Sequence, residues 1–512
     1  MSHILTSIAI SKTLQRTLLA FLVLGAVNLQ AQNESAESAT ETKQVEQGED
    51  ESGEDESEDN LFRKVQQLVE SGDIRDAVAM IDEHIQQTPE KDFAMVQRSL
   101  SFVGAGFERI RNPREAYKQF RKLYQFQIDR LPTEGDKVRL SSSVRACTLV
   151  SRRMDKQDEI KKMVEDGIVE LEKYVDMSVP SQLLFELSNL RSMKAAVALT
   201  EERRDEAAAI LQTDNEVLAK LYQDHSDDEL LFSAYVRNLM ESMLVNEAPE
   251  KQAELFNQHQ EIVTARIESM PKNISYASQY LRVLNLRAQQ MVAESPDVVL
   301  TMIEEGEKVL TGVIQANPEE SRQLASQIPQ LAQLKGRALA QLVVVELIDK
   351  PSPEFDAQTW VNGDELQLSD LQGKVVLLDF WAMWCGPCIR AFPDLKKFQE
   401  TYAAEGFQIV GATRHYNFTW NEEEDQPARS EAEVPAAEEN SAIKRFVEKY
   451  ELPYPSMVMP QGSEMSRSFG VASIPHVVLI DRKGNVRMVK VGTSETSGDE
   501  IEAKIRELLL ED

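Results

Sequence analysis

The sequence predicts two architectures in series, an all-α helical-repeat array followed by an α/β domain. Three observations carry this expectation. Apolar residues recur with a helical period from about Leu61 to Leu347. At Lys350-Pro351-Ser352-Pro353 that period stops, and short runs rich in Val and Leu then alternate with further helical stretches. The chain has 512 residues, 42% of them hydrophobic, which is too long for one core and apolar enough for more than one.

The first segments read as export and spacing. Lys12 and Arg16 precede an apolar stretch from Leu18 to Val27, and the small residue Ala31 follows. A charged region, a short apolar core and a small residue at the cut mark a secretory signal peptide, here residues 1–31. The apolar core is shorter than the roughly 20 residues that a spanning helix needs. Leu29 is large for its place before the cut and the charged region is long, so an uncleaved membrane anchor is the alternative. Residues 32–60 are almost entirely Glu, Asp, Ser, Gln and Thr. They offer no apolar surface to offset ordering entropy and are expected to be an acidic, disordered linker. The formal net charge of -30 argues against a nucleic-acid partner.

Within residues 61–347, Leu61, Val65 and Leu68 form one stripe, and Ile74, Val78, Ile81 and Ile85 form the next. Ser71-Gly72-Asp73 breaks the helix between them, and Pro89 lies beyond the second. This pair resembles one unit of a tetratricopeptide-type (TPR-like) array. Later stretches keep the style without the motif. Ser226-Asp227-Asp228-Glu229 reads as a capping box ahead of Leu231, Tyr235 and Leu239. Ser295-Pro296-Asp297 opens another helix, with Pro at its first position. Helical pairs recur roughly every 40–48 residues, as in a helical solenoid. Such arrays present a long concave surface, so a protein partner is expected there.

In residues 353–512, Val375-Val376-Leu377-Leu378, Phe407-Gln408-Ile409-Val410 and Val477-Val478-Leu479-Ile480 read as buried strands. Val486-Arg487-Met488-Val489 reads as an edge strand across the Gly484-Asn485 turn. The acidic stretch at about 420–440 reads as a mobile inserted loop.

Only three cysteines are present, Cys147, Cys385 and Cys388. A C-x-x-C pair could be half of a zinc site, but no further Cys or His stands at ligand spacing, so no metal or cofactor is expected. The pair instead follows a buried strand and opens a helix, where free amides and the helix dipole favour a thiolate at Cys385. Cys388, one turn further in, is expected to be more buried. Cys147 reads as a small buried hydrophobe, with a third exchanging thiol as the alternative.

The segment from Asp379 to Cys388 resembles thioredoxin in Trp384-Cys385-Gly386-Pro387-Cys388 and in the Asp six positions ahead of Cys385. Its surroundings resemble the exported TlpA/ResA-type branch of the thioredoxin-like superfamily and its relatives in the alkyl-hydroperoxide-reductase group. Those motifs are Pro353-Glu354-Phe355, the run from Leu368 to Lys374, Phe392-Pro393-Asp394-Leu395, and the run from Ile474 to Asp481. The resemblance spans about Pro353 to Leu510.

This resemblance implies a thioredoxin fold and a thiol–disulfide oxidoreductase. Cys385 would attack a substrate disulfide and Cys388 would resolve the mixed disulfide. Asp379 would be a buried carboxylate relaying a proton to or from Cys388. Pro475 would be a cis-proline beside the site, with the neighbouring backbone at Ile474 pairing with substrate. Trp384, Gly386 and Pro387 would complete the substrate surface, and Gly-Pro between the cysteines leans towards a reductase. Trp381 reads as core, and Pro393 as a kink in the active-site helix. His415 and His476 read as satisfied histidines, or alternatively as substrate contacts. Many exported relatives carry an acid after the next strand, whereas Thr413-Arg414-His415-Tyr416 has none. Two other functions are weighed. One is a peroxidase, disfavoured by Ala382 where those enzymes have Thr. The other is a scaffold in which the helical array carries the role. Expected partners are protein disulfides, an upstream thiol electron donor that is membrane-bound in the simplest scheme, and a protein on the helical array. The expected compartment is extracytoplasmic, the bacterial periplasm.

Overall fold

The structure, a computed structural model, describes residues 58–511 except 88–92, 153, 320, 326–327, 461 and 495. The export signal and nearly all of the acidic linker lie outside the described residues. The chain divides into two compact units, one up to Ala265 and one from Arg266 onward.

The first unit is helical. It runs through α1 (Glu58–Ser71), α2 (Ile74–Gln87), α3 (Phe93–Arg109), α4 (Pro113–Glu134), α5 (Leu140–Val150), α6 (Gln157–Leu171), α7 (Gln182–Thr200), α8 (Arg204–Asp224) and α9 (Glu229–Val245), and into α10 (Pro249–Ser269). Each of α1 to α8 packs on the next. Gly72 takes a φ of 96°, which lets the chain reverse between α1 and α2. The buried stripes follow the sequence pattern through Leu61 and Val65 on α1 and Ile74 and Ile81 on α2. Asn112 caps α4 by accepting from the Glu115 amide, and Ser181 caps α7 at 3.1 Å from the Leu184 amide. The cap of α9 differs from the expectation. Asp228, not Ser226, accepts from the Leu231 amide at 2.8 Å, because the helix starts two residues later than a capping box at Ser226 requires. The starts of α4, α6, α8, α10 and α12 (Pro296–Ala316) fall 44 to 47 residues apart, so one helical pair repeats.

The second unit continues with α11 (Ile274–Met291), α12, the short α13 (Arg322–Ala325) and α14 (Ile328–Leu347). A mixed α/β domain follows. Its strands are β1 (Thr359–Val361), β2 (Val375–Phe380), β3 (Phe407–Arg414), β6 (Ser456–Met459), β7 (His476–Ile480) and β8 (Val486–Val491), in the spatial order β1-β6-β3-β2-β7-β8. The three central strands β6, β3 and β2 run parallel, and the others are antiparallel to their neighbours. One face of the sheet packs under α15 (Gly386–Tyr402), α16 (Ala436–Lys449) and α18 (Ser497–Leu510). The other face holds Phe355, Leu371, Met465 and Phe469, with Leu347 and Ile348 against it. Met465 belongs to the one-turn α17 (Met465–Ser468). Gly470 lets α14 come close, since a Cβ there would meet the Ala340 carbonyl at 2.5 Å.

The stretch read as a mobile loop is folded. Strands β4 (Phe418–Asn421) and β5 (Gln426–Arg429) form a hairpin, and α16 begins at Ala436. Arg445 and Lys449 lie over the Trp420 ring at 5.2 and 5.6 Å. The same two side chains pair with Glu422 and Asp425, so the acidic tip carries its own counterions. Among the described residues, no helix is long and apolar enough to cross a membrane.

Candidate active site

Strand β2 delivers the chain to the cysteines and α15 receives it. Cys385 is the N-cap of α15, and its Sγ accepts from the Cys388 amide at 3.2 Å. The two cysteines are joined by a disulfide, their Cα atoms 5.3 Å apart. Pro387 occupies the first turn, where its missing N–H costs no helical hydrogen bond. Cys385 and Cys388 are 2% and 1% exposed, so the expected difference in burial is slight in the oxidised pair. Trp384, directly before them, is 49% exposed. Its ring meets Tyr416 edge-on at 5.4 Å, and the Arg414 guanidinium lies over Tyr416 at 4.8 Å. The sequence reading passed over Tyr416, because nothing local signals that the end of β3 folds back beside Trp384.

Side chains of β2 alternate between the two faces of the sheet. Val375, Leu377 and Trp381 join the core that contains both cysteines, while Val376, Leu378 and Phe380 join the opposite one. Asp379 therefore shares the face of the disulfide. It is 1% exposed, and burial pushes its carboxyl up to about 7. Trp381 is core, stacked on Phe446 at 5.2 Å.

The Ile474–Pro475 peptide bond is cis, and Ile474 packs on the core that holds the cysteines. Gly386 and Pro387 are partly exposed at the helix start. Pro393 lies inside α15. His476 is fully buried beside Phe380 at 5.6 Å, on the sheet face away from the disulfide, and burial pulls it down to about 4. The period of the strand, not its neighbour Pro475, decides where it points. His415 bonds Asn440 at 2.8 Å. Where an acid was missing after β3, Glu439 of α16 reaches in, and its carboxylate accepts from the amides of Tyr416, Asn417 and Phe418. Cys147 is far along the chain in α5, buried and unpaired.

A family model described as Redoxin matches residues 348–505. Over 142 residues the chain is 30% identical to the thioredoxin-like protein YneN of Bacillus subtilis (strain 168), covering 28% of this chain and 70% of that protein. It is 28% identical over 162 residues to the thiol-disulfide oxidoreductase ResA of Bacillus thuringiensis subsp. konkukian (strain 97-27), covering 32% of this chain and 76% of that one. Among solved structures, a thiol:disulfide interchange protein of the thioredoxin family from Chlorobium tepidum TLS is 26% identical. It covers 31% of this chain and 95% of that one, with a TM-score of 0.24. A disulfide-forming pair at the start of a helix, in a sheet of this order, gives the C-terminal domain the chemistry of thiol–disulfide exchange. Through that domain, the chain belongs to the thioredoxin-like redoxin family as a thiol–disulfide oxidoreductase with Cys385 and Cys388 as its redox pair.

Proposed function

We propose that this protein is a reductase of disulfides in exported proteins, working outside the bacterial cytoplasm. The observation that carries the proposal is the buried pair at the start of α15, beside the exposed Trp384 and on the same sheet face as the Asp379 carboxyl. In the reduced enzyme the Cys385 thiolate attacks a substrate disulfide. A Cys385–substrate disulfide forms, and the first substrate thiolate leaves and takes a proton. Cys388 gives its proton to the Asp379 carboxylate, and its thiolate attacks Cys385 Sγ. The enzyme disulfide closes as the second substrate thiolate departs. Two electrons pass to the substrate, and an upstream dithiol donor must return them.

Trp384, Gly386, Pro387 and the Ile474–Pro475 backbone form the surface that receives the substrate, a role the family resemblance supports. The helical array brings particular clients to the redox domain. The test is the reduction potential of the purified chain lacking residues 1–31, set against dithiothreitol or glutathione buffers. A value near about -270 mV fits a reductase, and one near about -120 mV would make it an oxidant that donates disulfides. The compartment is checked in cells, where a membrane-impermeant maleimide should label the reduced pair.

A further inference from the structure

Beneath the disulfide, four buried polar atoms make no hydrogen bond: Asp379 Oδ2, Trp381 Nε1, Tyr454 Oη and Ser456 Oγ. Each of these residues is at most 1% exposed. Buried polar groups are nearly always paired, so four such atoms in one core call for a physical account.

They gather around one backbone position. Asp379 on β2 and Ser456 on β6 flank Gly411 on β3 in register. A Cβ on Gly411 would lie 2.3 Å from Ser456 Oγ and 2.8 Å from Trp381 Nε1. Tyr454 stands two residues before Ser456, and its hydroxyl is held above its ordinary range first by burial and then by the Asp379 charge. Gly411 keeps an ordinary strand conformation, so it is space and not backbone geometry that asks for glycine.

The donor types complement one another. An indole N–H only donates, hydroxyls donate or accept, and an ionised carboxylate only accepts. A water that accepts from Trp381 and donates to Asp379, with a hydroxyl as its further partner, satisfies this set, and buried waters make about three such bonds.

We propose that Trp381, Tyr454 and Ser456 form a polar cradle that holds a buried water against Asp379 and sets the pH at which this carboxyl exchanges its proton with the active-site thiols. The proposal rests on the reading of Asp379 as the proton relay, and it makes Tyr454 and Ser456 positioning residues. The other titratable groups on the elements packed around Asp379 are committed elsewhere or are its reaction partners. From α15 come Cys385 and Cys388. On β7, His476 occupies the opposite face. On α16, Glu439 is bound to the amides at 416–418. On α18, Glu502 pairs with Lys397 and Arg506, and Glu500 with Lys490. On β3, Arg414 lies at the exposed strand end, over Tyr416.

The test follows the rate of disulfide exchange by the full chain from pH 5 to 9, with the infrared carboxyl band of Asp379 read in parallel. Tyr454→Phe and Ser456→Ala should each move the midpoint upward by about one pH unit, the effect of one lost hydrogen bond to a carboxylate. Ser456→Ala carries the test alone should Tyr454→Phe not fold. Asp379→Asn should abolish the midpoint, and adding Tyr454→Phe to it should change nothing further. If Asp379→Asn abolishes the midpoint while both cradle variants leave it where it was, the cradle is wrong and the relay stands. A midpoint that survives Asp379→Asn overturns the relay itself, and the cradle's role with it.

Discussion

The helical ladder between α5 and α9 and the core beneath the redox pair both bury polar side chains, but on opposite terms. In the helical unit most of the buried groups between α5 and α9 are joined, although Ser99 Oγ, Gln119 Oε1 and His259 Nε2 elsewhere in it make no hydrogen bond. Glu186 accepts from the Ser141 amide at 2.7 Å, Glu241 from Ser192 Oγ at 2.6 Å, and Asp214 from Ser188 Oγ at 2.6 Å and from Arg191 at 3.1 Å. Arg237 donates to Ser188 Oγ at 2.8 Å and also bonds Asn189, which reaches back to Ser141. Ser141, Asn189 and Arg237 are spaced 48 residues apart, one on each of α5, α7 and α9. The ladder thus links equivalent places in successive helical pairs and fixes their register. In the redox domain, Asp379 and its neighbours over Gly411 are buried as deeply without a partner. Partnered buried polarity specifies structure, and unpartnered buried polarity beside a reactive pair marks chemistry.

The contrast is tested most severely at the pair itself. Cys385→Ser should reduce turnover of a model protein disulfide to the uncatalysed rate, since no mixed disulfide can form. Residual turnover through Cys388 alone would show that the two thiols are not divided as attacker and resolver.

Asp379 supplies the next largest effect, and on stability. Its carboxyl is raised to about 7 by burial, while in the unfolded chain it titrates near the ordinary value of about 3.9. Between those values the unfolded chain releases its proton and the folded one keeps it. Folding stability therefore falls as pH rises from about 4 to about 7, by up to about 4 kcal/mol. Asp379→Asn removes this penalty. Thermal unfolding should place the variant above the parent at pH 8 and close to it at pH 4. A parent whose stability does not decline over that window would mean that burial does not hold the Asp379 carboxyl above its ordinary range.

Arg237→Ala should show the opposite pattern. It leaves Asn189 and Ser188, and Glu241 whose carboxylate lies 3.8 Å from the Arg237 guanidinium, without their shared partner, at a cost of about 3 kcal/mol in unfolding of the helical unit. The reduction potential of the pair should stay unchanged. A shift in potential would mean that the ladder and the redox site are coupled, and the division between structural and chemical polarity would not hold.

How far the sequence could be read follows the same division. The thiol pair, its helix, Asp379 and the run through Pro475 were legible because each is written in a few neighbouring residues. The helical period survives in the spacing of the pairs. The cap of α9 was misplaced because Ser226 and Asp228 both suit the role and only the helix start chooses between them. The hairpin at 418–429 was hidden by its acidic composition, although Phe418 and Trp420 alternate as strand residues do. The cradle was out of reach. Tyr454 and Ser456 meet Asp379 only because β6 pairs with β3 and β3 with β2, and no local spacing encodes that juxtaposition.

The smallest effect is expected at Cys147. It is fully buried in α5, and burial pushes its thiol up to about 12, so at pH 8 only about one thiol in ten thousand is ionised. It should behave as a small apolar side chain. In the reduced, folded chain, maleimide should modify Cys385 first, and Cys147 only as the helical unit unfolds. Cys147→Ala should cost about 1 kcal/mol in unfolding, as a small buried truncation does, and leave the potential of the pair unchanged. A third thiol that reacts at the rate of the pair, or a potential that moves in the variant, would place Cys147 in exchange with the active site. Burial in the helical unit would then not separate structure from chemistry.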